Sequence, residues 1–259
     1  MTTKLLKALA SAIGAFASFA ACAAPVITRT QFFTDVIGQS ATFSVAAGSY
    51  LHLDTTATSP FAPAQVSAFA TYSLDNSIVR GLNFYTGPIF AEKNFDRFLT
   101  NLSLTSAWNL RVTDPSGSTD GTFSAIADPE LLPLVLNLHV LQGGTTPTVA
   151  WTLPDLGAYD IDRIRVRVTD ASNNSPIFQS GSLSPSATSY MIPDGILSLG
   201  GTYEFRVMLE DFAGDLSSGV LENRSNTFSG LVQLVPEPGS IALLGLGLAG
   251  LAAFRRRKR

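Results

Sequence analysis

Cysteine and histidine are nearly missing from this sequence, and their scarcity excludes several kinds of chemistry. The chain of 259 residues holds 1 cysteine and 2 histidines. Cys22 lies in an apolar N-terminal stretch that we expect to be removed, so the mature chain would have neither disulfides nor a thiol nucleophile. His52 and His139 occupy alternating positions of predicted strands, and no H-E-x-x-H pattern accompanies them. We therefore predict no thiol enzyme and no histidine metal site.

Basic residues are also scarce once the two ends of the chain are set aside. The formal net charge is −3, from 17 basic and 20 acidic residues. The two ends hold no acids, and their basic residues are Lys4, Lys7 and the five cations at 255–259. Residues 24–254 therefore carry 10 basic and 20 acidic groups. An acidic region of this size repels nucleic acid and anionic lipid. Nucleic acid is therefore not an expected partner.

Catalytic motifs are few. There is no G-x-S-x-G. Gly245, Gly247 and Gly250 spell G-x-G-x-x-G, but they lie in a terminal apolar run without the strand and helix of a dinucleotide site, so we interpret them as helix-packing residues. A pair of carboxylates for glycoside hydrolysis stays open as an alternative. We predict that the protein is not an enzyme.

The N-terminus has the three parts of a secretory signal peptide. Two lysines precede the apolar residues 5–21, and Ala21-Cys22-Ala23 is a small-residue cleavage site. We expect export through the Sec translocon and cleavage after Ala23, which makes Ala24 the first mature residue. An uncleaved anchor helix and lipidation of the cysteine remain as alternatives.

The C-terminus joins an extended proline segment, an apolar run and a basic end. Prolines in Val235-Pro236-Glu237-Pro238-Gly239 fix φ and keep the residue before each of them extended. The apolar run at 241–254 predicts a membrane helix of about 21 Å, short for a hydrocarbon core of about 30 Å. The cations that follow should stop translocation and stay in the cytoplasm. These cations are Arg255, Arg256, Arg257, Lys258 and Arg259.

In this order, the three parts resemble the PEP-CTERM sorting signal of exosortase substrates. The resemblance implies an exosortase-type enzyme as partner, transient anchoring in the inner membrane, and cleavage at or near the Pro-Glu-Pro segment. It also implies a final position at the cell surface or outside the cell, and an association with exopolysaccharide or biofilm. The alternative is a permanent single-span anchor with the same topology.

Between the two terminal signals the sequence predicts an all-β fold of two β-sandwich-like domains. Turn residues separate short β-rich runs at intervals of about eight to twelve residues. Two prolines around residues 129–133 suit a domain boundary. The predicted order is a signal peptide at 1–23, a β-rich domain of unknown family at 24–129, a sandwich at 130–235 and the sorting signal at 236–259.

The first domain contains several runs in which apolar and polar residues alternate, as in half-buried strands. A further segment, Glu92 to Leu104, is ambiguous because its apolar residues also have helical spacing, so a short helix is an alternative there. A turn is predicted at 114–118. The alternating runs are 41–45, 49–53, 66–74, 78–85 and 108–112.

The second domain shows the clearest strands, at 163–168 and 203–210. Thr148 to Pro154, with Trp151, resembles the second strand of a fibronectin type III domain. Leu197 to Val207 resembles the tyrosine corner of that family, with Tyr203 at the corner, and 211–217 resembles its F–G turn. The resemblance covers residues 131–235 and implies a fibronectin-type sandwich. Gly200 stands where the family usually has proline.

Loop carboxylates make calcium the one cofactor to consider. Asp160, Asp162, Asp211 and Asp215 lie in predicted loops of the second domain. Calcium takes six to eight oxygen ligands, but none of these loops has the EF-hand pattern. Solvated turn aspartates are the interpretation that we favour, so we predict no required cofactor and no metal site.

Together these features predict an exported, non-enzymatic protein of the cell surface or extracellular matrix, structural or adhesive in role. The alternative is a secreted hydrolase with a catalytic first domain and a fibronectin-like accessory domain. A first-domain cleft lined by converging acids or by His52 would favour the hydrolase.

Overall fold

The computed structural model describes residues 23–43, 47–85, 90–95, 106–157, 159–235 and 246. These residues form fourteen strands and two single-turn 3-10 helices, Pro63–Gln65 and Leu216–Ser218, so the predicted all-β class is confirmed. The strands are β1 Val26–Ile37, β2 Gly48–Thr58, β3 Ser67–Tyr72, β4 Val79–Tyr85, β5 Phe90–Phe95, β6 Trp108–Asp114, β7 Gly117–Phe123, β8 Leu136–Leu141, β9 Thr148–Thr152, β10 Arg163–Asp170, β11 Ser175–Gln179, β12 Ser189–Met191, β13 Thr202–Phe212 and β14 Leu221–Gln233.

The chain divides into two compact units. Residues 32–52, which lie in the predicted first domain, are part of unit 2. Further along the chain, unit 1 ends at residue 125 and unit 2 resumes at residue 126. Strands β1 and β2 each contribute to both units. Unit 1 comprises Met1–Gln31, Leu53–Lys93 and Ser106–Ala125, and unit 2 comprises Phe32–His52, Asn94–Thr105 and Ile126–Arg259.

Unit 1 is built on antiparallel strands in the order β5-β4-β3-β6-β7. Successive residues of a strand point to opposite faces of its sheet. On β3 and β6 one face carries buried side chains, including Ala68, Ala70, Leu110 and Val112. The other face is exposed, as the alternating pattern predicted.

Unit 2 contains two sheets around one apolar core. One sheet has the order β12-β9-β8, and the other includes β11-β10-β13-β14 followed by β1. Ile164, Val166 and Val168 of β10 are fully buried in this core, so the predicted strand alternation is confirmed. Trp151 is 4% and Tyr203 6% exposed, as expected for the two anchor residues of the second domain.

Strand β1 adds to unit 2 in parallel to β14, with Thr34 to Ile37 facing Asn223 to Asn226. The sequence did not reveal this strand, because Val26 to Gln31 shows no clean alternation of apolar and polar residues. Its Asp35 is 1% exposed and accepts two hydrogen bonds from the guanidinium of Arg224.

Two arginines of β10 lie beside Glu210 of the neighbouring strand β13. Arg163 and Arg165 both pair with Glu210, whose side chain is fully buried. The burial matters because a buried carboxylate depends on its partners far more than a solvated one does.

One local prediction, a strand at 41–45, and one open alternative, a helix from Glu92, are wrong where the structure describes them. Residues 41–43 form bends and no strand, because Ser40 Oγ accepts the backbone N–H of Thr42 and Phe43, a local bond that competes with strand pairing. The alternative of a helix from Glu92 is wrong over 92–95, where β5 pairs with β4. Residues 44–46 and 96–105 lie outside the described part of the chain.

Candidate functional site

In the described part of unit 2, Leu234 is the buried core residue nearest the C-terminus. Strand β14 ends at Gln233, and Leu234 follows with its side chain fully buried among the core residues. Its N–H donates to Gly201 O at 3.0 Å, and its carbonyl accepts from Gly200 N–H at 2.8 Å. Val235, the next residue, is 47% exposed. Burial therefore changes to exposure between these two residues.

The loop that holds Leu234 is the corner before β13. The hydroxyl of Tyr203 accepts the backbone N–H of Ser198 at 3.0 Å, which ties the loop back on itself. Gly200 has φ of +80°, a left-handed conformation that proline, with φ near −65°, does not adopt. A Cβ on Gly201 would lie 2.3 Å from the same hydroxyl. Both glycines are thus required where they stand.

The proline segment starts one residue beyond this anchored point. Of the residues predicted for sorting, Val235 is described, whereas Pro236, Glu237, Pro238, Gly239 and the five cations at 255–259 lie outside the described residues. At the other end, Ala21 lies outside them as well. Ala23 is described, and its carbonyl accepts a hydrogen bond from Ser116 Oγ at 2.9 Å.

Comparison with protein families identifies the C-terminal segment. Residues 234–258 match the model of the PEP-CTERM protein-sorting motif. The match begins at Leu234, a buried residue of the unit 2 core, and supports an exported surface protein that an exosortase-type enzyme sorts. No curated protein matches the chain.

Membrane spans are not found in the described part of the chain. None of its helices is long and apolar enough to cross a bilayer. Apart from Leu246, the predicted span at 241–254 lies outside the described residues, as do residues 1–22 of the predicted signal peptide.

Each of the two histidine side chains contacts another residue of the protein. His52 is 3% exposed and its ring stacks on Phe33, with centroids 4.5 Å apart. Nδ1 of His139 lies 2.7 Å from the carbonyl of Asn137. Within the described residues, no group of three or more histidine, cysteine or acidic side chains could hold a metal ion.

The four carboxylates considered for calcium have different surroundings. Asp162 accepts the backbone N–H of Phe212 at 2.8 Å, and Asp215 caps the 3-10 helix Leu216–Ser218. Asp211 is 6% exposed and accepts Asn223 Nδ2 at 2.6 Å, whereas Asp160 lies on the surface. That the protein requires no calcium stays a prediction, which melting curves with millimolar calcium and with chelator would test.

Asp160, Asp162 and Asp211 nevertheless act on one another electrostatically. Burial raises the pKa of Asp211 to about 6, the Asn223 hydrogen bond opposes this, and the charges of Asp162, Asp160 and Glu222 raise it further. Burial, followed by the charges of Asp128 and Asp160, likewise raises the pKa of Glu130. Asp211 and Glu130 therefore take up protons more readily than isolated carboxylates do. The pKa of Asp215 shifts in the opposite direction, because its hydrogen bonds to Ser217 lower it.

Proposed function

We propose that this chain is an exported, non-enzymatic protein of the cell surface or extracellular matrix, and that cleavage in the Pro-Glu-Pro segment releases or transfers its folded part. The observation that carries the proposal is the position of the motif. Within the described residues Leu234 is the last buried one and Val235 is exposed, so a cut beyond Val235 leaves every described core side chain of unit 2 in place. A processing enzyme can therefore act without unfolding its substrate.

The terminal segments supply the topology of the proposal. The signal peptide starts translocation through the Sec translocon, the apolar run at 241–254 stops it, and the cations at 255–259 stay in the cytoplasm. The proline segment then lies at the outer face of the inner membrane. A run of this length is a marginal permanent anchor, which favours transient anchoring followed by processing.

The proposed role is structural or adhesive, with exopolysaccharide as the associated material. We further propose that β8 to β14 form a fibronectin type III-like sandwich. Support comes from the buried Trp151 on the second of these strands and from the bond of the Tyr203 hydroxyl to Ser198. Such sandwiches serve widely as rigid spacers and binding modules, and the fold by itself implies no catalysis.

The test is mass spectrometry of the protein from its native host. We expect a mature C-terminus near residues 235–239 in the surface or extracellular fraction. Replacing Pro236 and Pro238 by alanine should extend the helix toward the core and leave the intact chain in the membrane fraction. Pro185→Ala, at an exposed turn of unit 2, is the matched control and should be processed normally. An intact wild-type chain ending at Arg259 would overturn the proposal.

A further inference from the structure

The exposed face of the unit 1 sheet carries an ordered row of side chains across four strands. Gly81 of β4 faces Phe69 of β3, Phe69 faces Arg111 of β6, and Arg111 faces Asp120 of β7. Two residues further along each strand, Thr71 faces Asn109, and Asn109 faces Thr122. Cross-strand neighbours on one face lie about 5 Å apart, so these side chains form one continuous surface.

Phe69 is the aromatic residue of this row, and its side chain is 47% exposed. Its ring atoms Cδ1 and Cε1 lie 3.8 and 3.6 Å from the point where a Cβ on Gly81 would stand. Packing over a glycine accounts for one edge of the ring. The residue as a whole stays half exposed, and covering exposed apolar surface lowers the free energy.

Arg111 and Asp120 form a planar, two-bond ion pair next to the ring. Arg111 Nε lies 2.6 Å from Asp120 Oδ1, and Nη2 lies 2.8 Å from Oδ2. Both side chains are 64% exposed. This pairing lowers the pKa of Asp120 and raises that of Arg111, so both stay charged. An exposed pair contributes little to stability, but its two-bond geometry holds further donors and acceptors in place.

These residues line a groove of about 760 Å³. Small ligands occupy sites of about 300–1,000 Å³ that combine an apolar surface with a few placed polar groups. Besides the ring and the ion pair, the groove offers two hydroxyls and two amides, from Thr71, Thr122, Asn76 and Asn109. Hydroxyls and amides both donate and accept hydrogen bonds.

We propose that this groove binds a neutral oligosaccharide segment, with a sugar ring on Phe69 and its hydroxyls bonded to Arg111, Asp120 and Asn109. The inference rests on the proposed surface function and names the ligand class. A pyranose has an apolar C–H face and a rim of hydroxyls, which is the pattern that this surface complements. The lining charges cancel, so neither an anionic polymer nor a basic peptide is attracted. The large exposed apolar side chains described on this face are Phe69 and Val79, which faces Thr71, and two such residues are too little for an apolar protein partner.

The test is binding of the full-length protein to an array of neutral and uronic-acid oligosaccharides, followed by calorimetry with the best neutral probe. We expect Phe69→Ala to weaken binding at least tenfold and Phe69→Trp to preserve it. Arg111→Lys keeps the charge but loses the planar fork, so we expect a smaller loss. Met191→Ala, a 63% exposed apolar residue of unit 2, is the control and should bind like wild type.

Four outcomes would overturn the inference: no neutral oligosaccharide binds; only acidic ones bind; Phe69→Ala binds unchanged; or the control loses affinity as strongly as Phe69→Ala. Melting curves of each variant separate a lost contact from a lost fold. The mature C-terminus is determined separately on host-derived protein. Failure of sugar binding with correct processing would therefore leave the sorting function standing.

Discussion

At the scale of single residues, Asp211 shows how burial sets the behaviour of a side chain. Its pKa rises from an ordinary 3.8 to about 6, chiefly because of burial. A carboxyl whose pKa is higher in the folded state stabilises the protein below pH 4, and this contribution is lost as the pH rises through 6. The wild-type protein should therefore lose free energy of unfolding at this site between pH 4 and pH 7.

Asp211→Asn should remove this pH dependence. The amide oxygen still accepts the hydrogen bond from Asn223. The free energy of unfolding of the variant relative to wild type should therefore rise by roughly 2 to 3 kcal/mol between pH 4 and pH 7, since one pKa unit corresponds to about 1.4 kcal/mol. Urea denaturation at the two pH values measures the difference. Asp215→Asn is the control: the pKa of Asp215 is lowered, so any change should have the opposite sign. Parallel pH curves for Asp211→Asn and wild type would contradict the assignment.

Trp151 is the residue whose role the sequence specified most directly. It is buried in the unit 2 core, and truncation to alanine removes a large apolar side chain and leaves a cavity. We expect Trp151→Ala to cost about 3–5 kcal/mol in free energy of unfolding, measured by chemical denaturation. Met191→Ala, exposed on β12, should cost far less. A loss below about 1 kcal/mol for Trp151→Ala would contradict its place at the centre of the core.

At the scale of elements, alternation predicted the strands that bury one face. Strands β3, β6, β10 and β13 fall where apolar residues recur at every second position, because a pleated strand turns those residues to one side. The parallel pairing of β1 with β14 could not be predicted, because it joins residues 189 apart in sequence whose facing side chains are largely polar. Polar side chains specify such pairings through particular hydrogen-bond and ion-pair partners. A single sequence does not show which residues these partners are.

The pair Asp35 and Arg224 makes that pairing testable. Asp35 is buried, and Arg224 with Asn226 supplies its hydrogen bonds. Arg224→Gln should leave the buried carboxylate without its cation and cost about 3–5 kcal/mol by chemical denaturation. Arg111→Gln removes the cation of an exposed pair and should change stability little. Equal effects of the two substitutions would show that burial does not distinguish the pairs.

The candidate sites differ in how far the sequence revealed them. The sorting motif was readable because it consists of contiguous residues with strong local signals: prolines, an apolar run and five cations. The groove of unit 1 was not, because Phe69, Arg111 and Asp120 meet only through strand register. In sequence, Phe69 looks like any residue of a half-buried strand. A site assembled across strands leaves no spacing pattern along the chain.

At the scale of the whole molecule, the folded part and the sorting motif should be separable at one peptide bond. Leu234 is the last buried residue that the structure describes, fixed by two backbone hydrogen bonds to the corner loop, and Val235 is exposed. A chain from Ala24 to Val235 should therefore keep the full stability of unit 2. A chain ending at Gln233 loses a fully buried leucine and both bonds.

The last prediction compares these two chains. We expect the chain ending at Gln233 to be less stable by about 2–5 kcal/mol, the usual cost of emptying a buried leucine site. Leu234→Ala in the longer chain should reproduce most of this loss, and Val235→Ala should reproduce little of it. Urea denaturation monitored by tryptophan fluorescence measures all four, since Trp151 lies in the same core. Equal stability of the two chains would mean that the core ends before Leu234, and that an enzyme could cut further upstream without damage to the fold.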